Sequence, residues 1–146
     1  MASLTDRGQE FSELVPEIFR VNGLLLSAGD ALARPAGLTS ARWQVLSVLD
    51  HGPVTVAEVA RTRGLTRQTV RQTAASLASA GMLGYEDNPR DRRARLLVLT
   101  TRGRTALRSV ERRQAAWANQ VASRTSPRDL RTAIGILRDL GDLLEN

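Results

Sequence analysis

The chain has 146 residues, of which 42% are hydrophobic but only 3% aromatic, a composition that suits one domain with an aliphatic core. Its net charge is +6 and it has no cysteine, which excludes disulfides, thiolate metal sites and cysteine-based redox sensing. No run approaches the roughly 20 apolar residues that span a bilayer, and Asp6, Glu10 and Glu13 stand where a signal peptide has basic and then apolar residues, so a cytoplasmic protein with no membrane partner is expected.

Residues 5–34 carry a helical stripe of Phe11, Leu14, Val15, Ile18 and Phe19 that continues through Leu25, Leu26 and Leu32, the pattern of a long amphipathic helix. Pro16 removes one amide and crowds the preceding turn, so a kink or a helix start is expected there. Pro35 and Gly37 end the segment. Thr39 then caps a helix over residues 40–50 whose buried stripe is Trp43, Leu46 and Leu49. Gly52-Pro53 stops it, His51 is placed as its C-terminal cap, and Val54 adds a brief strand.

From Thr55 to Thr100 the sequence reads as two short helices around a tight turn, followed by an arginine-tipped hairpin. Thr55 and Glu58 form a capping box, and Val56, Val59 and Ala60 give the first helix its apolar side. Gly64 tolerates the left-handed conformation of a helix C-cap, Leu65 fills the corner, and Thr66 caps the second helix. On that helix Val70, Thr73, Ala74 and Leu77 share one side. Gln68, Gln72, Ala75 and Ser79 face away, flanked by Arg67, Thr69 and Arg71. Such amides and guanidiniums hydrogen-bond base edges and phosphates, although an ordinary surface helix has the same polarity. Gly81 ends the helix, Leu83 to Glu86 and Arg95 to Leu99 read as strands, and the loop between them holds Arg90, Arg92 and Arg93. That loop repels itself unless a polyanion is nearby, with a solvated hairpin tip as the alternative. Residues 88–93 are also the one candidate for wing disorder.

Thr101 opens a further helix in which Leu107, Val110, Trp117 and Val121 have heptad-like spacing, interrupted by Gln114. Ser126-Pro127 starts the last helix, with Asp129 as a short acidic substitute in the capping box and Leu130, Ile134, Leu137 and Leu144 as its apolar stripe. Helices at both chain ends therefore need partners. Packing on each other and on a second copy is the economical arrangement, with a monomeric bundle as the alternative.

Charge is uneven. Between Arg61 and Arg113 there are 13 Arg and four acids, a local +9, against −3 over the remainder. The positive field thus sits on the proposed reading head. Lys is absent, which suits fork-like recognition of phosphate and guanine but also fits the codon drift of a high-GC genome. His51 is the sole histidine, so multi-histidine metal sites and Ser-His-Asp chemistry are nearly excluded by inventory, and neither a GxGxxG nor a Walker pattern occurs. No enzyme activity, metal or cofactor is expected.

The stretch GLTRQTVRQTAASLASAGMLGYEDNPRDRRARLLVLTTRG resembles the core of the MarR family of bacterial winged helix-turn-helix regulators, most closely at Asp91-Arg92-Arg93 followed by LLVLTTRG, and TSARWQVLSVL extends the resemblance upstream. It implies a mainly α fold with a small β wing over residues 1–146, in which 37–100 form the DNA-binding lobe and 5–34 and 101–146 are dimerisation helices. It also implies a homodimer on double-stranded DNA, with recognition helices in successive major grooves. Arg93 would enter the minor groove while Asp91 orients its guanidinium. Together with the reading of the helix surface, the expected DNA contacts are Thr66, Arg67, Gln68, Thr69, Arg71, Gln72, Arg90, Asp91 and Arg93. Family members commonly release DNA when a small aromatic acid or phenol enters a cleft, for which Phe19, Trp43 and Trp117 offer apolar walls and Arg20, Asn22 and His51 polar anchors. The reading is a homodimeric repressor released from a pseudo-palindromic operator by a small ligand. An architectural DNA binder or protein-interaction module without ligand response is the alternative.

Overall fold

The structure, a computed structural model, describes residues 2–145. It is mostly helical: α1 (Asp6–Ala33) leads through a 3-10 turn at Arg34–Ala36 into α2 (Ser40–Leu49), β1 (Val54–Thr55), α3 (Val56–Arg63) and α4 (Arg67–Ser79). β2 (Leu83–Glu86) and β3 (Leu96–Leu99) make the hairpin, and α5 (Thr101–Val121) and α6 (Pro127–Leu144) complete the chain. The chain divides after Glu111 into two compact units.

In the first unit the sheet is antiparallel in the order β1-β3-β2. Leu97 at its centre lies opposite Val54 on one side and Tyr85 on the other. The sheet backs onto an aliphatic core in which Val45, Leu46, Val59, Val70, Ala74, Leu77, Leu97, Leu107 and Val110 are all 0% exposed. Ser40 is the one buried polar residue among those described; its hydroxyl donates to the Leu26 carbonyl, and Asp30 Oδ1 accepts from its amide at 2.7 Å. The α1–α2 crossing is therefore tied by polar bonds as well as by apolar contact.

Helix α1 does not start at Pro16. Thr5 caps it, with Gly8 N donating to Thr5 Oγ1 at 3.0 Å, and the helix runs through the proline for 28 residues. Pro16 and Ser12, whose carbonyl loses its usual amide partner, are both exposed, so water replaces the missing bond. Helix α2 buries Val45, Leu46, Val48 and Leu49, while Trp43 is only half-buried at the edge of the core. Its C-cap is Asp50, not His51, which lies one residue beyond and is exposed. Strand β3 begins at Leu96 rather than Arg95.

Asp50, the C-cap of α2, needs partners of its own. A carboxylate at a helix C-terminus faces the negative end of the macrodipole and requires cations. Arg108 donates to it from Nη2 at 2.8 Å and Nη1 at 3.1 Å, Arg104 from Nη1 at 3.3 Å, and Arg108 also reaches Glu111. The Arg108 hydrogen bond, more than the opposing burial, holds the Asp50 carboxyl below its ordinary range, and Arg108 is raised in turn.

In the second unit, Ser126 Oγ accepts from Asp129 N at 3.1 Å and Pro127 occupies the first turn of α6. Leu130, Ile134, Ile136, Leu137, Leu143 and Leu144 are exposed.

Two predictions concern this packing. A Cβ on Gly103 would stand 2.0 Å from the Met82 carbonyl oxygen, and one on Gly29 2.2 Å from Ser40 Oγ. Backbone cannot rotate away but a hydroxyl can. Gly103→Ala is expected to lose about 1–2 kcal/mol net of its gain in helix propensity, whereas Gly29→Ala is partly relieved by Ser40→Ala; chemical denaturation of the single and double variants checks both. The second prediction follows from the depressed Asp50 pKa. Its contribution is complete above the unfolded carboxyl value of about 3.9 and fades as pH falls through the lower folded value. Asp50→Asn should therefore cost roughly 1 kcal/mol or less at pH 7, since the pair is partly solvated, and the gap from the parent should close in acid when thermal midpoints are followed against pH.

Candidate nucleic-acid interface

The reading head is built by two caps around one turn. Thr55 Oγ1 accepts from Glu58 N at 3.2 Å and Glu58 Oε2 accepts from Thr55 N at 3.3 Å, the reciprocal box that starts α3. Gly64 ends the helix at φ +64°, where side chains are disfavoured, and Leu65 N closes the motif onto the Ala60 carbonyl at 2.8 Å. Thr66 then caps α4 by accepting from Thr69 N at 3.1 Å while donating to Thr69 Oγ1 at 2.8 Å. The Thr66 hydroxyl is thereby consumed, and Thr69 keeps its own proton for an outside acceptor.

Because Val70, Ala74 and Leu77 are fully buried, α4 has only one rotational setting, and Thr66, Arg67, Gln68, Thr69, Arg71 and Gln72 are all exposed. Arg42 Nη2 donates to Ser76 Oγ at 2.5 Å, bracing α4 against α2. Arg63 braces α3 in the same way, with Nη2 on Ser47 Oγ at 2.7 Å and Nε on the Gln44 carbonyl at 3.4 Å.

At the wing tip, residues 88–93 form two consecutive side-chain turns. Asn88 Oδ1 accepts from Arg90 N and Asp91 Oδ1 from Arg93 N, each at 3.0 Å. Asp91 thus holds the backbone that carries Arg93, and not, as expected from the resemblance, the Arg93 guanidinium itself. Arg90, Asp91, Arg92 and Arg93 are exposed, and Arg95 lies 4.9 Å over the Tyr85 ring, which stiffens the wing from its side.

Arginines are therefore of two kinds. Arg42, Arg63, Arg104 and Arg108 bond to the protein itself, whereas Arg61, Arg67, Arg71, Arg90, Arg92 and Arg93 make no side-chain hydrogen bond or ion pair among the described residues. Sequence reasoning missed the braces and Asp50. A lone acid at a helix C-terminus was a legible sign that cations must come from elsewhere; nothing local marked Arg42 or Arg63.

The six residues considered for a ligand cleft belong to several elements. Phe19, Arg20 and Asn22 are exposed on α1, with Arg20 paired to Glu17 at 3.2 Å. Trp43 packs on the core, His51 is exposed after α2, and Trp117 is half-buried on α5 in the second unit. Two concavities border the reading head instead, one lined by Glu58, Arg61, Leu65 and Arg67, the other by Asp87, Asn88, Pro89 and Arg92. No helix among the described residues is long and apolar enough to cross a membrane.

A capped helix pair with an unpartnered polar face, beside an arginine-tipped wing, defines a winged helix-turn-helix DNA-binding protein. The family model described as MarR family matches residues 36–94. Uncharacterized protein Rv2011c of Mycobacterium tuberculosis is 37% identical over 129 residues, 88% of this chain and 90% of that protein. Two solved structures share the fold at 23% identity. Sco3205 of Streptomyces coelicolor, a MarR family transcriptional regulator in complex with DNA, has a TM-score of 0.82 over 100% of this chain and 92% of its own. CouR of Rhodococcus jostii RHA1, bound to p-coumaroyl-CoA, has a TM-score of 0.78 over 85% and 88%. The chain belongs to the MarR family of transcriptional regulators.

The wing geometry gives a prediction. Asp91→Ala removes the acceptor for Arg93 N, worth about 1 kcal/mol or roughly fivefold in affinity, so DNA binding should weaken although an acid has been lost. Asp91→Asn keeps the acceptor and should bind at least as tightly as the parent. Fluorescence anisotropy with a labelled duplex checks it, and tighter binding by the Ala variant would show that charge, not the turn, is what matters.

Proposed function

We propose that the protein is a homodimeric repressor that acts in the cytoplasm on a pseudo-palindromic operator and leaves it when a small aromatic or phenolic ligand binds. The observation that carries this reading is the outer face of α4, where Gln68, Arg71 and Gln72 are exposed without side-chain partners among the described residues while the opposite face is sealed in the core. Such groups discriminate base edges by about 1–3 kcal/mol per bidentate pair. Gln68, Thr69, Arg71 and Gln72 read bases, Arg67 holds phosphate with its guanidinium and Thr66, whose hydroxyl is spent in the cap, with its backbone amide, and Arg90, Asp91 and Arg93 serve the minor-groove contact of the wing. Residues 37–100 act as the DNA-binding lobe.

The helices within 5–34 and 101–146 pair two copies, an assignment supported by the exposed Phe11, Leu24, Leu25, Ile134 and Leu137. A dimer of this kind places its recognition helices about 34 Å apart, one turn of DNA. A phenolic acyl group is what CouR holds, and by analogy Phe19, Arg20, Asn22, Trp43, His51 and Trp117 supply the apolar and polar groups of an effector site. Release requires that the ligand prefer the DNA-free spacing of the two heads.

Selection of duplexes from a random pool by the purified protein tests the reading. The expected product is an inverted repeat with half-sites about 10 bp apart, and Gln72→Ala should relax preference at one or two positions of each half-site. Enrichment of no common sequence would instead support an architectural or protein-docking role.

A further inference from the structure

Arg61 is an exposed guanidinium for which neither the fold nor the base-reading face has a use. Its own helix offers an acid three residues earlier, Glu58, at a spacing that normally forms an ion pair. Glu58 is otherwise engaged: its Oε2 accepts from Thr55 N at 3.3 Å in the capping box, and no ion pair with Arg61 forms among the described residues. Arg63, two residues on, is turned to α2, where Ser47 and Gln44 hold it. Arg61 instead lines the concavity between α3 and α4 together with Glu58 and, across the Gly64-Leu65 turn, Arg67. Two guanidiniums and one carboxylate share this concavity, so its balance is positive, and because Glu58 turns Oε2 to the capping box and pairs with neither arginine, both guanidiniums stay open to an anion.

We propose that Arg61 and Arg67 jointly clamp a single phosphate of the DNA backbone in this concavity, so that α3 as well as α4 is anchored to the duplex. The inference rests on the DNA-binding reading above and adds a residue and a stoichiometry to it. Guanidinium pairs match phosphate oxygens in a fork geometry that lysine lacks. One phosphate held by two arginines fixes the depth of α4 in the groove without reading sequence.

Salt dependence of duplex binding by the full-length protein separates the outcomes. Each neutralised phosphate adds about 0.9 to the slope of log affinity against log salt. Arg61→Ala, and Arg61→Gln as the variant that keeps part of the aliphatic stem, should each flatten the slope by up to that amount. Affinity should fall about five- to tenfold, equally for selected and random duplexes, with an unchanged thermal midpoint. Arg63→Ala should leave the slope unaltered. Because the phosphate is shared, the Arg61→Ala/Arg67→Ala double variant should lose about one phosphate's worth of slope rather than two. A parental slope in Arg61→Ala, a loss confined to the selected duplex, or a two-phosphate loss in the double variant would each overturn the clamp while leaving DNA binding intact. Failure of the parent to bind any duplex would remove both readings. Inorganic phosphate, compared with chloride at equal ionic strength, should not raise the thermal midpoint; a rise that disappears in the double variant would mean a free-anion site instead.

Discussion

Burial of one aliphatic face on each of α2, α3 and α4 is the constraint on which the reading head depends. Val45 and Leu46, Val59, and Val70, Ala74 and Leu77 are all completely buried, and they meet the sheet through Leu97. Each large side chain contributes about 1.5–3 kcal/mol on burial, so rotation of α4 about its axis would expose several such groups at once. The outward direction of Gln68, Arg71 and Gln72 is thus a consequence of where the leucines and valines go. With aromatic residues so scarce, branched aliphatic side chains of fixed rotamer preference do this positioning.

Electrostatics adds a second layer that net charge alone does not describe. Arg42, Arg63, Arg104 and Arg108 are spent on the protein itself, on Ser76, Ser47 and Asp50, and they stiffen the helix crossings. Arg61, Arg67, Arg71, Arg90, Arg92 and Arg93 make no side-chain hydrogen bond or ion pair among the described residues and lie on α3, α4 and the wing tip. A polyanion gains most from the latter group, since no internal bond must break for it to be engaged.

Much of this was legible in the sequence because its signals are local. Thr55 with Glu58, Gly64, Thr66 and Gly81 each determine a cap or a turn within a few residues, and all lie where expected. Strand β3 was misplaced by one residue because Arg95 fits a strand pattern equally well; its stacking on Tyr85 is a cross-strand contact. Pro16 misled for the opposite reason. The rule against interior proline is strong, yet an exposed position on a long capped helix has water to satisfy the orphaned carbonyl. Pairs such as Asp50 with Arg108 and Arg42 with Ser76 join residues 58 and 34 positions apart, and no local pattern reveals them. The same holds for Gly103, whose lack of a side chain matters only because the Met82 carbonyl is there.

The division of labour on α4 bears on how such a protein diversifies. Gln68, Arg71 and Gln72 have no side-chain bond to lose among the described residues, so exchanging them leaves the packing untouched, whereas the buried face and the close approach of Gly103 to the Met82 carbonyl leave little room for change. If these residues read bases as proposed, selection for a new target sequence acts on positions that are nearly silent for folding. Paralogues of this chain can drift to unrelated operators through a handful of substitutions without passing through an unstable intermediate.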